Sequence, residues 1–199
     1  MRLLSGTSLA RPSPLAGDSL PPVVGVAPKL ATFTSSTFNN LEDLFWDQVK
    51  DIYDAEQRLT DALPKMADAA NDPVLKGAFR DHLEQTRQHV KRLEQIFRSA
   101  GKEPERETCD GIKGLLKEGE DMIGAKGDED TCDAGLIAAA QRVEHYEMAV
   151  YGTIRTYAES LGRNEFADLL QRTLNEEGEA DRKLTQIAER KVNPKAAAH

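Results

Sequence analysis

Apolar residues recur at alternating steps of three and four along four stretches of the chain, the pattern of a helix that buries one face. The stretches run over residues 45–66, 75–96, 137–161 and 166–187. Each pattern is interrupted near its centre by polar residues and is apolar again at both ends. If four helices of similar length pack side by side, these interruptions lie at one level. The sequence therefore predicts a four-helix bundle with a polar layer across its core.

Most of the residues that interrupt the four patterns are glutamates and histidines, which bind metal ions. The full set is Glu56 in the first stretch, His82, Thr86 and His89 in the second, Glu144 and Glu147 in the third, and Glu177 in the fourth. A buried carboxylate without a partner is so costly that several together imply a compensating cation or shared protons. The alternative is that the periodicity is drawn one residue off and the acids form a solvent-exposed face. Because four interruptions coincide, we expect the acids to face inward and to hold a pair of metal ions.

Turn and capping residues predict how the helices are connected. The first helix begins at a cap formed by Asn39 or Asn40, and Pro64 should kink it or end its regular part. The later helices are predicted over about 73–100, 131–161 and 164–190, with a short helix around 112–123 in the connector 102–130. Two hairpins joined by one long crossover predict an all-α, ferritin-like four-helix bundle.

Two divalent ions suit this set of side chains, because four carboxylates neutralise two divalent cations and imidazoles fill the remaining positions. Iron is the metal we expect first, with manganese or zinc as alternatives, since such ligands accept all three. The predicted metal ligands are Glu56, His82, His89, Glu144, Glu147, Glu177 and Asp181. Tyr151 lies one turn beyond Glu147 on the same face and is a candidate catalytic residue, the alternative being a core tyrosine with a polar tip.

Ferritin-like bundles place a Glu-x-x-His motif on two of their helices, and this chain departs from it on both. Thr86 occupies the acidic position before His89, so His82, one turn earlier, is the substitute. Three residues after Glu177 stands an alanine, and Asp181 is the replacement ligand. His82 and His89 are about 10.5 Å apart along a helix, so one ion cannot bind both. Each histidine is either a ligand or a hydrogen-bonded core residue.

Charge and composition narrow the classes of function. The 199 residues carry a net charge of −8 with a pI near 5.1, which argues against nucleic-acid or anionic-membrane binding. No stretch approaches the roughly 20 apolar residues that span a bilayer, so we expect a soluble, cytoplasmic protein. Cys109 and Cys132 fit a reducing compartment, with a disulfide between them as the lesser alternative. Arg87, Lys91 and Arg92 are interpreted as the solvent face of the second helix.

The two ends of the chain lack the helical pattern. Residues 1–37 are rich in Pro, Gly, Ser and Thr and nearly free of acids, which predicts a disordered tail. We expect the bundle to span residues 38–190 and residues 191–199 to form a flexible C-terminus.

Four short strings resemble one known family. They are YDAEQRL at 53–59, HLEQT at 82–86, AAAQRVEHYE at 138–147, and TLNEE at 173–177 followed by Asp181. The chain is identified on these as similar to the YciE/YciF-like family of ferritin-like bacterial stress proteins. The resemblance covers roughly residues 41–188, and AAAQRVEHYE is its most specific part. It implies a ferritin-like bundle that forms a homodimer, serves general or osmotic stress responses and carries a two-metal centre.

Three hypotheses for the function follow. The first is a redox enzyme whose di-iron or di-manganese site consumes peroxide or oxygen, and which needs an electron donor that the sequence does not name. The second is iron handling, in which Fe(II) is oxidised and stored. The third is a non-catalytic stress protein whose metal only holds the bundle together. Two acids on the third helix favour the first hypothesis over the second.

Overall fold

The computed structural model describes residues 37–198, and every regular element in that range is helical. Apart from Thr37, the predicted tail lies outside the described residues. The helices are α1 (Leu41–Ala69), α2 (Pro73–Ser99), α3 (Asp110–Ile123), α4 (Glu129–Ser160), α5 (Asn164–Ile187), a π-helical segment (Ala188–Val192) and α6 (Asn193–Ala196). None of these helices has both the length and the apolar composition that a bilayer span requires.

Helices α1 and α2 form the first hairpin, and capping residues set its ends. The side chain of Asn40 accepts a hydrogen bond from the Asp43 N–H at 2.8 Å, as expected for an N-cap. Asp72 caps α2 immediately before Pro73. Helix α1 continues through Pro64 to Ala69, so the alternative that this proline ends the helix is wrong. Buried side chains on both sides of Pro64 offset the hydrogen bond that proline cannot donate.

The crossover from α2 to α4 contains α3, close to the predicted short helix. The backbone of Gly101 has φ of 70°, a left-handed conformation that glycine adopts without strain as it ends α2. Cys109 caps α3 through its sulfur. Cys109 and Cys132 are both free thiols. The lesser alternative of a disulfide across the connector is therefore not realised.

Helices α4 and α5 form the second hairpin, joined by a short link in which Gly162 has φ of 71°. The chain beyond α5 differs from the predicted flexible C-terminus. It continues helically to Ala196, with Val192 fully buried and the Lys195 ammonium 3.4 Å from Asp130 Oδ1. Burial of one apolar side chain and this ion pair account for the added turns.

The two hairpins pack with α1 against α4 and α2 against α5, while α3 covers α1 and α4. One end of the bundle is filled by aromatic rings at the start of α1, the end of α2 and the start of α5. These rings belong to Phe45, Trp46, Phe97 and Phe166, with centroids 5.1 to 6.5 Å apart. The predicted ferritin-like four-helix bundle is thus confirmed, with apolar layers on either side of a polar middle.

Candidate metal centre

Each of the four long helices contributes side chains to the polar middle of the bundle. Helix α1 supplies Glu56, α2 supplies His82, Thr86 and His89, α4 supplies Glu144 and Glu147, and α5 supplies Glu177. All seven are buried, and the exposed fractions of Glu56, His89, Glu147 and Glu177 are 0%. The alternative of a solvent-exposed acidic face is therefore excluded.

The buried donors fall into two groups that share one residue. The first contains His82, Glu144, Glu147 and Glu177, and the second contains Glu56, His89 and Glu177. Within each group the ligand atoms all lie within 4.8 Å of one another. The two histidines are in different groups, as their spacing on α2 predicts. A carboxylate common to two groups is the arrangement that bridges a pair of ions.

Short distances between nitrogen and oxygen atoms define both groups. His82 Nε2 lies 3.3 Å from Glu144 Oε1 and 3.6 Å from Glu177 Oε2. His89 Nδ1 lies 3.3 Å from Glu56 Oε1 and 2.9 Å from Glu177 Oε1. The last approach lacks hydrogen-bond geometry, so both atoms remain unpaired. The imidazoles therefore face the carboxylates without fully satisfying them.

Several buried oxygen atoms in the layer have no hydrogen-bond partner among residues 37–198. In this range, no donor pairs with either carboxylate oxygen of Glu147 or of Glu177. The same holds for one oxygen each of Glu56 and Glu144 and for the Thr86 hydroxyl. Such atoms are rare in folded proteins, since each forfeits its bonds to water. Carboxylate oxygens and imidazole nitrogens are the ligands that divalent transition metals take in helical bundles. The residues present thus fit a pair of such ions.

The pKa shifts of the buried side chains show that the polar layer favours protonated groups when no cation is bound. Burial raises the pKa of Glu144 to about 8, although a neighbouring imidazole opposes the rise. Burial and the adjacent carboxylates hold the pKa of Glu147 well above its ordinary value. Burial acts to lower the pKa of His89, but the Glu56 and Glu177 carboxylates outweigh it and raise the value to about 11. Without cations, the layer therefore retains protons at neutral pH.

A carboxylate behind His89 fixes the orientation of its ring. His89 Nε2 lies 2.8 Å from Glu176 Oε2, leaving Nδ1 to face Glu56 and Glu177. Arg92 donates to both oxygens of Glu176 at 2.6 and 2.8 Å. Carboxylates placed in this way commonly orient and polarise a metal-binding histidine. Glu176 was not identified from the sequence. Its position next to Glu177 on α5 is the one feature of the sequence that could have indicated it.

The interpretation of Arg92 as part of a solvent face is wrong, since its side chain is 21% exposed and forms hydrogen bonds with Glu176 and the Thr173 hydroxyl.

Tyr151, the candidate catalytic residue, is fully buried, and its hydroxyl donates a hydrogen bond to Glu56 Oε1. Burial, with Glu56 and Glu177, raises its pKa well above the ordinary value. Tyr151 therefore stays protonated and contacts the layer directly.

The structure does not bring Asp181 into either group of donors. Its Oδ1 accepts a hydrogen bond from Gln141 Nε2 at 3.0 Å and lies 3.4 Å from His145 Nε2. His145 is itself 68% exposed. Asp181 stands one turn beyond Glu177, about 6 Å along α5, and its short side chain meets the outer seam between α4 and α5.

Two helical hairpins, a long crossover and a buried layer of Glu and His drawn from four helices define a ferritin-like protein. The chain belongs to the family described as Domain of unknown function (DUF892), which matches residues 40–197.

Proteins of similar sequence and structure support this family assignment. Protein YciF of Escherichia coli (strain K12) is 43% identical over 157 residues, which make up 78% of this chain and 95% of YciF. The crystal structure of the E. coli stress protein YciF matches with a TM-score of 0.76 and 42% identity, over 78% of this chain and 99% of that chain. YcfI from Rhodopseudomonas palustris matches with a TM-score of 0.75 and 41% identity, over the same shares. The resemblance to the YciE/YciF-like stress proteins is confirmed.

Proposed function

We propose that this protein binds two divalent metal ions, iron foremost, in the polar layer of its bundle and reacts there with peroxide or oxygen during stress. The stress role rests on the similarity to YciF, which is described as a stress protein. The metal and its reaction rest on the chemistry of the buried side chains. A redox reaction of this class also requires an electron donor in the cell.

The unpaired oxygens of Glu147 and Glu177 are the observation that carries this proposal. Both side chains are fully buried, and within the part of the chain that the structure describes none of their four carboxylate oxygens has a hydrogen-bond donor. A fold that only needed stability would place apolar residues at these positions, since a buried ionic group is often replaceable by apolar side chains at no loss. The acids are better explained as ligands.

The proposed ligand sets follow the two groups of donors. His82, Glu144 and Glu147 would hold one ion, Glu56 and His89 would hold the other, and Glu177 would bridge them. Four carboxylates against two divalent cations leave no net charge in the layer. Asp181 is not included because its carboxylate bonds elsewhere.

The surrounding residues prepare this layer for redox chemistry. Two ferrous ions held by these side chains would supply two electrons, which together with two protons suffice to reduce one hydrogen peroxide to two waters. Glu176 holds His89 in one orientation. The Tyr151 hydroxyl donates a hydrogen bond to Glu56 and so holds that carboxylate in one orientation. The apolar ends of the bundle limit the access of water, which strengthens these interactions.

The test is metal titration of metal-free protein, followed by assays of peroxide and oxygen consumption. Calorimetry should show two Fe(II) or Mn(II) ions per chain, and Glu144→Ala should abolish this binding while circular dichroism shows intact helices. Glu84→Ala is the matched control, because Glu84 is 67% exposed and its ion pair is with Arg87, on the same helix α2. Two ions per chain retained by Glu144→Ala would refute the ligand assignment.

A structural role for the metal is the second candidate function. The related YcfI is described as a candidate structural protein. Ligands drawn from all four long helices would also clamp the bundle when a metal binds. Stoichiometric metal binding without any peroxide or oxygen consumption, together with a large gain in melting temperature, would favour this role.

We also propose that the protein is a homodimer, as the family resemblance implies. Light scattering coupled to size-exclusion chromatography measures this directly. A dimer cannot enclose a mineral core, so a dimeric mass would exclude iron storage, whereas a large closed shell would favour it.

A further inference from the structure

A cleft between α1, α3 and α4 leads from the surface to the buried donors. Its volume is about 190 Å³, and its lining includes His82 and Glu144. Because these two side chains are buried, we infer that they mark its inner end. The walls are largely apolar, with Leu59, Leu63, Leu115, Leu116, Ala140 and Val143 among the residues that form them. Asp61, Lys65 and Glu120 surround its mouth and are exposed. The cleft therefore joins solvent to one group of the proposed ligands.

Gly119 on α3 shows that the cleft depends on the absence of a side chain at one position. The residue is buried, yet among the described residues a Cβ atom added to it would meet no atom within 4 Å beyond its own stretch of helix. Gly111 on the same helix is the opposite case, because an added Cβ would lie 2.9 Å from the Tyr146 ring. A glycine inside a helix costs about 1 kcal/mol relative to alanine. At Gly111 close packing explains that cost, whereas at Gly119 the missing side chain leaves the cleft open.

The size and surface of the cleft indicate what it can bind. An apolar cavity of about 150 Å³ accommodates benzene and stays free of water, so a cleft of about 190 Å³ accepts a small aromatic or branched alkyl group. Hydrogen peroxide and oxygen are far smaller and need no such walls. The apolar sides match a hydrocarbon body, and His82 and Glu144 at the inner end match a polar oxygen group.

We propose that the cleft binds a small organic hydroperoxide, with its hydrocarbon body along the α1–α3–α4 walls and its hydroperoxy group at His82 and Glu144. This rests on the proposed function and names its substrate class. Reduction breaks the O–O bond, consumes two protons and two electrons, and yields one alcohol and one water. The reduced metal ions of the proposed function are the source of the electrons.

Binding is tested with cumyl alcohol, which has the body of cumene hydroperoxide without its O–O bond. Calorimetric titration into the full chain, metal-free and metal-loaded, should show one saturable site. Gly119→Leu should weaken this binding by at least about tenfold, because the new side chain occupies the apolar space. Gly114→Leu is the matched control, since Gly114 also lies on α3 with open space around it but is exposed and outside the cleft.

Both substitutions replace a helix-interior glycine, so neither should lower the melting temperature. In metal-loaded protein, Gly119→Leu should reduce the rate with cumene hydroperoxide relative to hydrogen peroxide by about tenfold, and Gly114→Leu should leave that ratio unchanged.

The outcomes separate this proposal from the proposed function. If metal titration fails, the proposed function fails, while cumyl alcohol still tests the cleft in metal-free protein. Absence of saturable binding, or equal weakening by Gly114→Leu and Gly119→Leu, overturns the cleft proposal whatever the metal result. Loss of self-association in Gly119→Leu without any cumyl alcohol binding to the unsubstituted protein would assign the cleft to a second copy of the chain and would also overturn it.

Discussion

Two sets of buried carboxylates in this protein differ in whether the fold supplies hydrogen-bond donors to their oxygens. Asp54 is 3% exposed and is satisfied by Arg58 at 2.6 Å, Arg106 at 2.9 Å and the Cys109 N–H at 3.0 Å. Glu147, in contrast, is 0% exposed, and no donor in the described part of the chain bonds to either of its oxygens. Both acids lie inside one domain, so burial alone does not distinguish them.

The direction of the pKa shifts follows this difference. Burial acts to raise the pKa of Asp54, but hydrogen bonds from Arg58, the Cys109 backbone and Arg106 outweigh it and lower the value. Burial raises the pKa of Glu147 without any such opposition, and neighbouring carboxylates add to the rise. The chain can thus compensate a buried acid with its own donors. Where it leaves several acids uncompensated at one level, a bound cation is the remaining source of charge.

Among substitutions that keep the shape of the side chain, the largest expected effect comes from removing the charge of Glu147. Glu147→Gln should weaken metal binding by at least about 100-fold, because loss of a ligand exceeds the usual cost of losing an orienting partner. The stability of the metal-free protein should change little, since the carboxyl is already protonated there. Calorimetry and urea unfolding measure the two quantities. Strong destabilisation with unchanged metal affinity would make Glu147 a structural acid like Asp54.

Asp54→Asn should show the reverse behaviour. It removes the charge that Arg58 and Arg106 share, and both arginines are partly exposed and can turn to water. We therefore expect a loss of about 2 kcal/mol in the free energy of unfolding with no change in metal stoichiometry. Asp68→Asn is the control, since Asp68 is 80% exposed and should change stability by less than about 0.5 kcal/mol. Metal loss in Asp54→Asn would remove the contrast between the two sets of acids.

The helices could be predicted from the sequence because periodicity and capping are local signals. Asn40 and Asp72 act as caps where their side chains and positions indicate. The effect of Pro64 and the fate of Val192 could not be predicted, because each depends on packing by residues distant in sequence. The inward direction of the acids followed from four interruptions at one level, a property of the whole bundle that is visible in the pattern.

The hydrogen-bond partners of the buried donors could not be predicted from the sequence. Asp181 and Glu176 are both acids close to Glu177, yet Asp181 bonds to Gln141 while Glu176 supports His89. Only the rotation and spacing of α5 against its neighbours decide which carboxylate meets which helix. Residue type and register therefore identify candidate ligands, whereas the residues that orient them require the tertiary structure.

Glu176 allows a weaker version of the Glu147 experiment. Glu176→Gln keeps a side chain of the same size beside His89 but loses the charge that Arg92 pairs with. Metal affinity should fall by about 10- to 100-fold with the stoichiometry retained, the usual effect of altering a partner behind a histidine ligand. Glu179→Gln, an exposed position on the same helix, should leave the affinity unchanged. Unchanged affinity in Glu176→Gln would show that Glu176 and Arg92 serve only to join α2 and α5.

A further predicted effect is a dependence of stability on pH to which the two sets of acids should contribute with opposite signs. The folded pKa of Glu144 is about 8 against an ordinary 4.5, so the folded protein holds a proton that the unfolded chain releases between these values. His89, at about 11 against 6.5, acts in the same sense at higher pH. The metal-free protein should therefore lose stability as the pH rises from about 5 to about 8. The lowered pKa of Asp54 contributes stability that is lost only in acid.

Metal ions replace these protons, so the metal-loaded protein should escape this loss and the gain in melting temperature on adding metal should grow with pH. Thermal melts of both forms at several pH values between about 5 and 8 measure the gain, of the order of a few degrees for each kcal/mol. Glu147→Gln removes one carboxyl that holds a proton in the folded state, so it should flatten the slope of stability against pH in the metal-free protein. Asp54→Asn should leave that slope unchanged and should alter the loss of stability at acidic pH. A metal-free protein that becomes more stable as the pH rises would mean that the polar layer is compensated by the fold itself, in the manner of Asp54, and needs no cation.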